Sequence, residues 1–433
     1  SMGNTVIFGR KYLNMKILYP LLTLLAFAVM SCEQKRPVDR FSDEQLKAYA
    51  DELAHRYIIT DGHVDLPYRL KMKNFRPERE YMGIPISSKE GDFDYERAKM
   101  GGLDAPFMSI YIPASNQHLD DKGSPIGGGK ELADSLINMV TAIAGAHPDK
   151  FALAKTPQDI QEAFKAGKIA LPMGMENGAP VGMDLANLKD YFEKGIRYIT
   201  LTHGRDNQIC DSSGDTTRTW NGLSPFGKQV VAEMNRLGIM VDISHVDDST
   251  FYQVMKLTKA PCIASHSSCR YFAPTVRRDM TDDMIRELGK NDGVVMINFY
   301  NAFLDSTVVN QNKKNRIKLT ALLDERKLNI DDDAAKPIIE QFKKDNPSLR
   351  TDVEMVANHI DHVVQLAGID HVGIGSDFDG VDGELPTGLT DVSTYPTLIY
   401  TLLKRGYTEQ DIEKICSGNL FRVWNKVIEV ASK

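Results

Sequence analysis

The feature of this chain that most constrains its fold is a series of short apolar runs, each followed at once by a side chain that can bind a metal or carry a proton. Each run predicts a buried strand by its length, its apolar continuity and its flanking Gly or Pro residues. Parallel strands whose carboxyl ends all present nitrogen and oxygen ligands are the way in which a barrel builds a metal site. The side chains in this position are His63 with Asp65, Glu176, His203, His245, His266 and Asp377.

Predicted strands and helices alternate along almost the whole chain. Stretches such as GKELADSLINMVTAIAGA and TPQDIQEAFKAG open with Thr or Gly and close at or near Gly, as helices do. Eight repeats favour a (β/α)8 TIM-like barrel over an open doubly wound sheet, and no GxGxxG turn follows any strand. Residues 304–350 predict a helical insertion on the rim, between strands 7 and 8. The predicted strands end near Gly62, Ile112, Met175, Thr202, Ser244, Ser265, Phe299 and Ser376.

Length and composition are those of a globular protein. The 433 residues are 42% hydrophobic and 26% charged, with no low-complexity stretch. Length alone would suggest two or three domains, but α/β barrels run this long with insertions. We therefore predict one catalytic barrel domain over residues 46–433. No basic patch points to a nucleic-acid partner.

The N-terminal part of the sequence reads as a targeting segment. From Met15 it has a basic residue, about a dozen apolar residues and a small residue before Cys32, a pattern that resembles a bacterial lipobox. We expect upstream residues 1–14, a lipoprotein-type signal peptide over 15–31, and a polar tether over 32–45. The protein would then be exported to the bacterial cell envelope and lipid-anchored to a membrane at Cys32. A plain signal peptide and a single membrane anchor remain alternatives, although the run is shorter than the roughly 20 residues that span a bilayer.

The residues at the strand ends suit a centre with two metal ions. His63 and Asp65 alternate along a strand end, so both can hold one ion. Glu176 follows an apolar strand, and an ionised carboxylate buried there needs a partner. A two-metal cluster supplies that partner, with His245 and His266 as nitrogen ligands of the second ion. The set suits zinc, with manganese or cobalt as alternatives, and no CxxC pair indicates a thiolate site.

Two further strand-end residues are candidates for managing charge and protons. His203 follows the fourth strand, and Asp377 follows the eighth, which neighbours the first strand in a closed barrel. A carboxylate near His63 could take a proton from a metal-activated water and pass it on. Asp379 is the competing choice, but it lies further into the loop and reads as a turn residue.

The motifs HVD, MEN, LTHGRDN, DISH, SHS, RRD, NFY and GSDFDG occur in this order, and SGNLFRVW follows near the C-terminus. Over roughly residues 46–425 the chain resembles the membrane (renal) dipeptidase family of metallopeptidases, whose fold is a metal-dependent-hydrolase barrel. The resemblance implies two zinc ions, with His63 and Asp65 on one, His245 and His266 on the other, and Glu176 bridging both. It also implies substrate contacts by His203, Arg278 and Tyr300, and a proton shuttle at Asp377.

Arg278 is the residue that the resemblance assigns to the substrate's terminal carboxylate. The family often has Arg-Asn at this point, whereas this chain has Arg277-Arg278-Asp279. The implied reaction is hydrolysis of a dipeptide with a free C-terminal carboxylate, by a hydroxide that bridges the two metals.

Two other functions and one assembly are left open by the sequence. One function is another two-metal hydrolase, acting on an N-acyl amino acid, a lactone or a phosphoester. Many such enzymes bridge their metals with a modified lysine, and no Lys ends a strand here. The other is a non-catalytic ligand-binding surface lipoprotein, for which a proton shuttle would have no use. A homodimer is also left open.

Overall fold

Eight parallel strands form the centre of the structure, a computed structural model that describes residues 36–72, 85–329 and 332–433. Each strand pairs with its neighbours in chain order. The first and last strands meet through a parallel bridge between Val64 and Phe378, where the Asp65 N–H donates to the Phe378 carbonyl at 2.9 Å. The predicted (β/α)8 barrel is confirmed. The strands are β1 Ile59–Val64, β2 Leu103–Tyr111, β3 Met173–Glu176, β4 Ile196–Thr200, β5 Met240–Asp242, β6 Ile263–Ser267, β7 Val294–Ile297 and β8 Val372–Ile374.

Helices surround this barrel and cover its outer face. Because side chains fill the interior and helices cover the outside, all residues of these eight strands except Tyr111 are buried. This double burial is the physical reason for the continuous apolar runs in the sequence. The α-helices are Pro37–Arg40, Asp43–Arg56, Leu66–Met72, Tyr95–Gly101, Lys130–Ala146, Pro157–Lys165, Ala186–Lys194, Pro225–Leu237, Asp248–Leu257, Asp282–Lys290, Asn301–Leu304, Ser306–Glu325, Lys336–Asp345, Val353–Ala367, Tyr395–Lys404, Glu409–Glu413 and Asn419–Ala431.

One apolar run, IALPMGM, forms two strands instead of the single strand predicted. Its first part, Ile169–Leu171, pairs in parallel with Phe151–Leu153 outside the barrel sheet. Its second part is β3, which pairs with β2 and β4. Pro172 separates the two parts, because a proline has no N–H to continue a ladder. The structure also contains a short antiparallel pair, His118–Leu119 with Pro125–Gly127, that the sequence did not predict.

The segment predicted as a polar tether is helical where the structure describes it. The helix Asp43–Arg56 begins inside the predicted range because Ser42 and Gln45 form a capping box, each side chain accepting from the other's backbone N–H. Its buried Leu46, Leu53 and neighbouring alanines pack against the helix Tyr395–Lys404. The predicted signal peptide and Cys32 lie outside the described residues.

The predicted insertion between β7 and β8 is present and helical. It consists mainly of the helices Ser306–Glu325 and Lys336–Asp345 and is preceded by the short helix Asn301–Leu304. Within the described residues, no helix combines the length and apolar character needed to cross a bilayer.

Candidate metal centre and substrate cavity

All seven side chains singled out at the strand ends meet at one end of the barrel. Three overlapping groups bring potential ligand atoms within 4.8 Å of one another. The sequence prediction of a shared rim is therefore correct in space. The groups are His63, Glu176 and His266; Glu176, His203 and His245; and His63, Asp65 and Asp377.

Glu176, the last residue of β3, is the centre of this arrangement. Its Oε1 lies 3.0 Å from Nε2 of His245 and 3.2 Å from Nε2 of His266. Its Oε2 lies 3.3 Å from Nε2 of His63. The two carboxylate oxygens thus face two different sets of ligands, as a bridging carboxylate would.

Hydrogen bonds behind His63 and His266 orient the two rings. The Tyr198 hydroxyl donates to the Gly62 carbonyl at 2.8 Å, so Nδ1–H of His63 donates to that hydroxyl at 2.9 Å. In the same way the Ser265 hydroxyl donates to Asp242 at 2.6 Å and accepts from Nδ1 of His266 at 2.8 Å. In both rings, Nε2 is then unprotonated and its lone pair points to Glu176. This is the tautomer that a metal ligand requires.

The buried atoms of the site have the character of metal ligands. Nε2 of His63 and Oδ1 of Asp65 are buried and have no hydrogen-bond partner in the described part of the chain. Nε2 of His245 and Nε2 of His266 lie 3.0 Å apart and face the same carboxylate oxygen. Leaving such polar atoms unpaired is costly, and a divalent cation would satisfy them together. Imidazole nitrogens and carboxylate oxygens are a donor set that zinc accepts.

The electrostatics of these groups agree with that reading. Burial favours the neutral form of His245 and His266, and Arg278 adds to the effect, so the pKa of each imidazole lies well below its usual value. Burial alone would raise the pKa of Glu176, but the facing His63 and His203 and the bonds from the other two imidazoles hold that pKa well below its usual range. The centre therefore offers the neutral imidazoles of His245 and His266 beside an ionised carboxylate. The pKa of His63 instead lies well above its usual value, because Tyr198, Glu176 and Asp65 outweigh the effect of burial.

A cavity of about 710 Å³ opens directly over these ligands. Tyr300 is part of its wall, as predicted, and Phe303 from the root of the insertion stands beside it. His203 also lines the cavity, with Nε2 3.7 Å from Oε1 of Glu176. The volume is within the range of small-molecule sites.

Asp377 lies between the cavity and His63. Its Oδ2 accepts from Nδ2 of Asn298 at 2.9 Å, and its N–H donates to the His63 carbonyl at 3.1 Å. Burial raises the pKa of Asp377 to about 7. A carboxyl group that titrates near neutral pH can both accept and return a proton.

Asp379, predicted as a turn residue, has the left-handed backbone of a turn (φ 66°) but also a buried, paired carboxylate. Its Oδ2 lies 3.2 Å from Nε of Arg69, and its Oδ1 accepts from the Asp92 N–H at 2.6 Å. These contacts fix Asp379 as a support of the cavity wall, whereas Asp377 has only one side-chain donor.

Arg278 adjoins the metal ligands, and the neighbouring Arg277 does not. Arg278 donates to the Ser267 hydroxyl at 2.8 Å and to the His266 carbonyl at 2.6 Å. Its Nε has no hydrogen-bond partner among the described residues, and its guanidinium carbon lies 5.5 Å from the centre of the Phe303 ring. Arg277 instead pairs with Asp247 at 2.6 Å. Arg278 therefore lies beside His266 with one guanidinium nitrogen unpaired among the described residues, whereas Arg277 is engaged in an ion pair.

Tyr111 is a cavity residue that sequence reasoning missed. It ends β2, and its ring centre lies 4.7 Å from that of His203 and 4.8 Å from that of Tyr68. Its position after an apolar run is the same signal that identified the other residues. It was not singled out because a phenol is not a common metal ligand.

A closed barrel of parallel strands with a nitrogen-and-oxygen centre at its carboxyl rim is the architecture of a metal-dependent hydrolase. The chain belongs to the membrane dipeptidase family, peptidase family M19, whose sequence model matches residues 47–433. The fold and the family together make the protein a metallo-dipeptidase.

Several solved structures are also similar to this chain. A probable dipeptidase from Pseudomonas aeruginosa, PvdM, is 26% identical with a TM-score of 0.73, covering 90% of this chain and 100% of its own. A metallopeptidase described as dipeptidase AC is 25% identical with a TM-score of 0.68, covering 86% of this chain and 98% of its own. A metallopeptidase from Rhodobacter sphaeroides, bound to a phosphinate mimic of the dipeptide L-Ala-D-Ala, is 24% identical with a TM-score of 0.67 over 86% and 99% of the two chains.

Proposed function

We propose that the protein hydrolyses dipeptides with two zinc ions held by five side chains. His63 and Asp65 would hold one ion, His245 and His266 the other, and Glu176 both. The observation that carries this proposal is the orientation of the Glu176 carboxylate. Its Oε1 faces His245 and His266, and its Oε2 faces His63. When bound, two divalent ions supply Lewis acidity and a hydroxide nucleophile at neutral pH.

His203 stabilises the negative charge that develops on the carbonyl oxygen of the scissile bond. It lines the cavity beside Glu176, and burial lowers its pKa, which favours a neutral imidazole. A neutral ring can donate one hydrogen bond to an oxyanion without first losing a proton. Removal of a single donor of this kind from an enzyme costs on the order of a hundredfold or more in kcat.

Asp377 moves the proton. It accepts the proton of the attacking water and returns it to the nitrogen of the leaving amine, so one proton is transferred twice in each turnover.

Arg278 binds the free C-terminal carboxylate of the substrate. Its guanidinium is oriented by Ser267 and the His266 carbonyl, and its buried Nε has no hydrogen-bond partner among the described residues. A planar guanidinium recognises a carboxylate by charge-assisted, often bidentate hydrogen bonds. This contact favours short peptides that end close to the scissile bond, and Tyr300 and Phe303 confine the same region.

The test is metal analysis combined with a dipeptide panel. The purified protein is expected to contain two zinc ions per chain and to cleave dipeptides, with activity lost on chelation and restored by zinc. L,L and L,D pairs belong in the panel because one structural relative carries an L-Ala-D-Ala mimic. Activity that survives complete removal of metal, or hydrolysis of N-acyl amino acids but of no dipeptide, would contradict the proposal.

We also propose, from the sequence alone, that the mature protein is lipid-anchored at Cys32 in the bacterial cell envelope. The support is the apolar run and small residue that precede Cys32.

A further inference from the structure

Two buried asparagines link the loops that carry Glu176 and His203. Asn177 follows Glu176 directly, and Asn207 lies four residues after His203. Nδ2 of Asn207 donates to Oδ1 of Asn177 at 3.0 Å and to the Leu201 carbonyl at 2.8 Å. Both asparagines are completely buried.

Every hydrogen-bonding position of the Asn207 amide is used. In addition to the two donated bonds, its Oδ1 accepts from the N–H groups of Ile209 at 2.8 Å and Cys210 at 3.1 Å. Because these partners are backbone groups of fixed polarity, the amide can be oriented in only one way. Asn207 therefore holds the loop after β4 in one conformation.

The Asn177 amide is saturated in the same way. Its Nδ2 donates to the Ile112 carbonyl at 2.9 Å and to Oε1 of Gln117 at 3.0 Å, while its Oδ1 also accepts from the Ala179 N–H at 3.1 Å. Gln117 in turn donates to the Asp206 carbonyl at 2.9 Å. The loops after β2, β3 and β4 are thus joined in one closed set of bonds.

His203 depends on this network for its place. The loop from Leu201 to Cys210 carries His203 at the cavity, and Asn207 bonds to both ends of that loop and to Asn177 beside Glu176. The Asn177 backbone is left-handed (φ 83°), a conformation that asparagine adopts more readily than most residues, and the four hydrogen bonds of its side chain hold it there.

We propose that Asn207, acting through Asn177, is a positioning residue that sets His203 against Glu176. This inference rests on the proposed role of His203 in stabilising the oxyanion. Its consequence is specific: loss of Asn207 should impair mainly the step that His203 serves, because Tyr198 and Ser265 support the ligands His63 and His266 independently of this network. A misplacement of about 1 Å can reduce a rate by roughly a hundredfold.

The experiment is a double-mutant cycle with zinc-loaded protein. Asn207→Ser, and the isosteric Asn207→Asp, which exchanges both donors for an acceptor, are made with His203 intact and with His203→Ala. Asn187→Ser, which removes a donor to the Val181 carbonyl away from the cavity, is the control. We expect kcat to fall about tenfold to a hundredfold with His203 present, with KM changed far less, and to fall less than about threefold in His203→Ala. Equal losses in both backgrounds, or loss of zinc in step with activity, would overturn the proposal.

A second measurement is independent of turnover. In protein with ¹³C-labelled histidine, the imidazole signal of His203 is identified by its absence from His203→Ala. That signal should shift in Asn207→Ser and stay unchanged in Asn187→Ser. An unchanged His203 signal in Asn207→Ser contradicts the inference. Absence of dipeptide hydrolysis by the unmodified protein would contradict the proposed function instead, and the two failures are therefore distinguishable.

Discussion

At the scale of single residues, Glu176 is the side chain on which the centre depends. Both of its oxygens face nitrogen ligands, and an amide cannot offer two equivalent anionic oxygens. We therefore expect Glu176→Gln to lower the zinc content and to abolish dipeptide hydrolysis, as measured by elemental analysis and product assay. Glu384→Gln, at the cavity wall, is the matched control and should keep its zinc. Full zinc occupancy in Glu176→Gln would exclude a bridging role.

Asp377 and Asp379 are two carboxylates of the same loop that are expected to differ in function. Asp377→Asn should retain zinc and lose about a hundredfold to ten-thousandfold in kcat, because an amide cannot carry the proton. Asp379→Asn should lose much less kcat, since Asp379 is held by Arg69 and Asp92 and supports the wall. Steady-state kinetics of the two variants test which carboxylate transfers the proton. A larger loss of kcat in Asp379→Asn than in Asp377→Asn would reverse the assignment.

At the scale of elements, a buried acid at the start of β2 makes stability depend on pH. Asp104 is 4% exposed, its Oδ2 accepts from the Ile59 N–H at 3.1 Å, and burial raises the pKa of Asp104 to about 7. In the unfolded chain this pKa is about 3.9, so the folded state binds the proton more tightly. The stability that this provides is fully present below about pH 4 and is lost as the pH rises through about 7.

Asp104→Asn should remove the loss of stability at high pH, because the amide stays neutral and can still accept a hydrogen bond from the Ile59 N–H. At pH 8 we expect its free energy of unfolding to exceed that of the unmodified protein by about 2–4 kcal/mol, and at pH 4 to be nearly equal. Denaturant titrations at both pH values measure the difference, with the exposed Asp121→Asn as the control. A difference that is the same at both pH values would show that Asp104 does not titrate in this range.

The elements also show what a sequence can and cannot predict. All eight barrel strands were predictable because each is buried on both faces and is therefore part of a mainly apolar run. The helix Asp43–Arg56 was not predicted, because its many polar residues make the apolar stripe difficult to recognise in the sequence. That stripe consists of Leu46, Ala50, Leu53 and Ala54. The division at Pro172 was also missed, since both halves of that run are equally apolar.

The same contrast applies to the site. The ligands could be predicted because each ends its own strand, and parallel strand ends share one rim. The bonds behind them could not, because Ser265 with Asp242 or Asn207 with Asn177 have short side chains that find partners only after the loops have folded. Asp379 was read as a turn residue because nothing in the sequence brings Arg69 to it.

At the scale of the whole molecule, the proposed lipid anchor makes the position of the chain in the cell depend on Cys32. Expression of Cys32→Ala in the native host should move the protein from the membrane fraction to the soluble fraction, because the thiol that would carry lipid is removed. Immunoblots of fractionated cells measure this shift, and Cys210→Ala, at a buried cysteine of the barrel, is the control. Unchanged fractionation of Cys32→Ala would refute the lipid anchor.

The junction of β8 with β1 determines when the centre can be completed during synthesis. All five proposed ligands precede residue 267, yet the loop after β8 holds two of them, because the Asp377 N–H bonds to the His63 carbonyl and the Asp65 N–H to the Phe378 carbonyl. The Ser376 N–H also bonds to Asp61 within β1. A nascent chain therefore contains all five proposed ligands before the loop that holds His63 and Asp65 has been synthesised, so the site can reach its final geometry only after translation of the last strand.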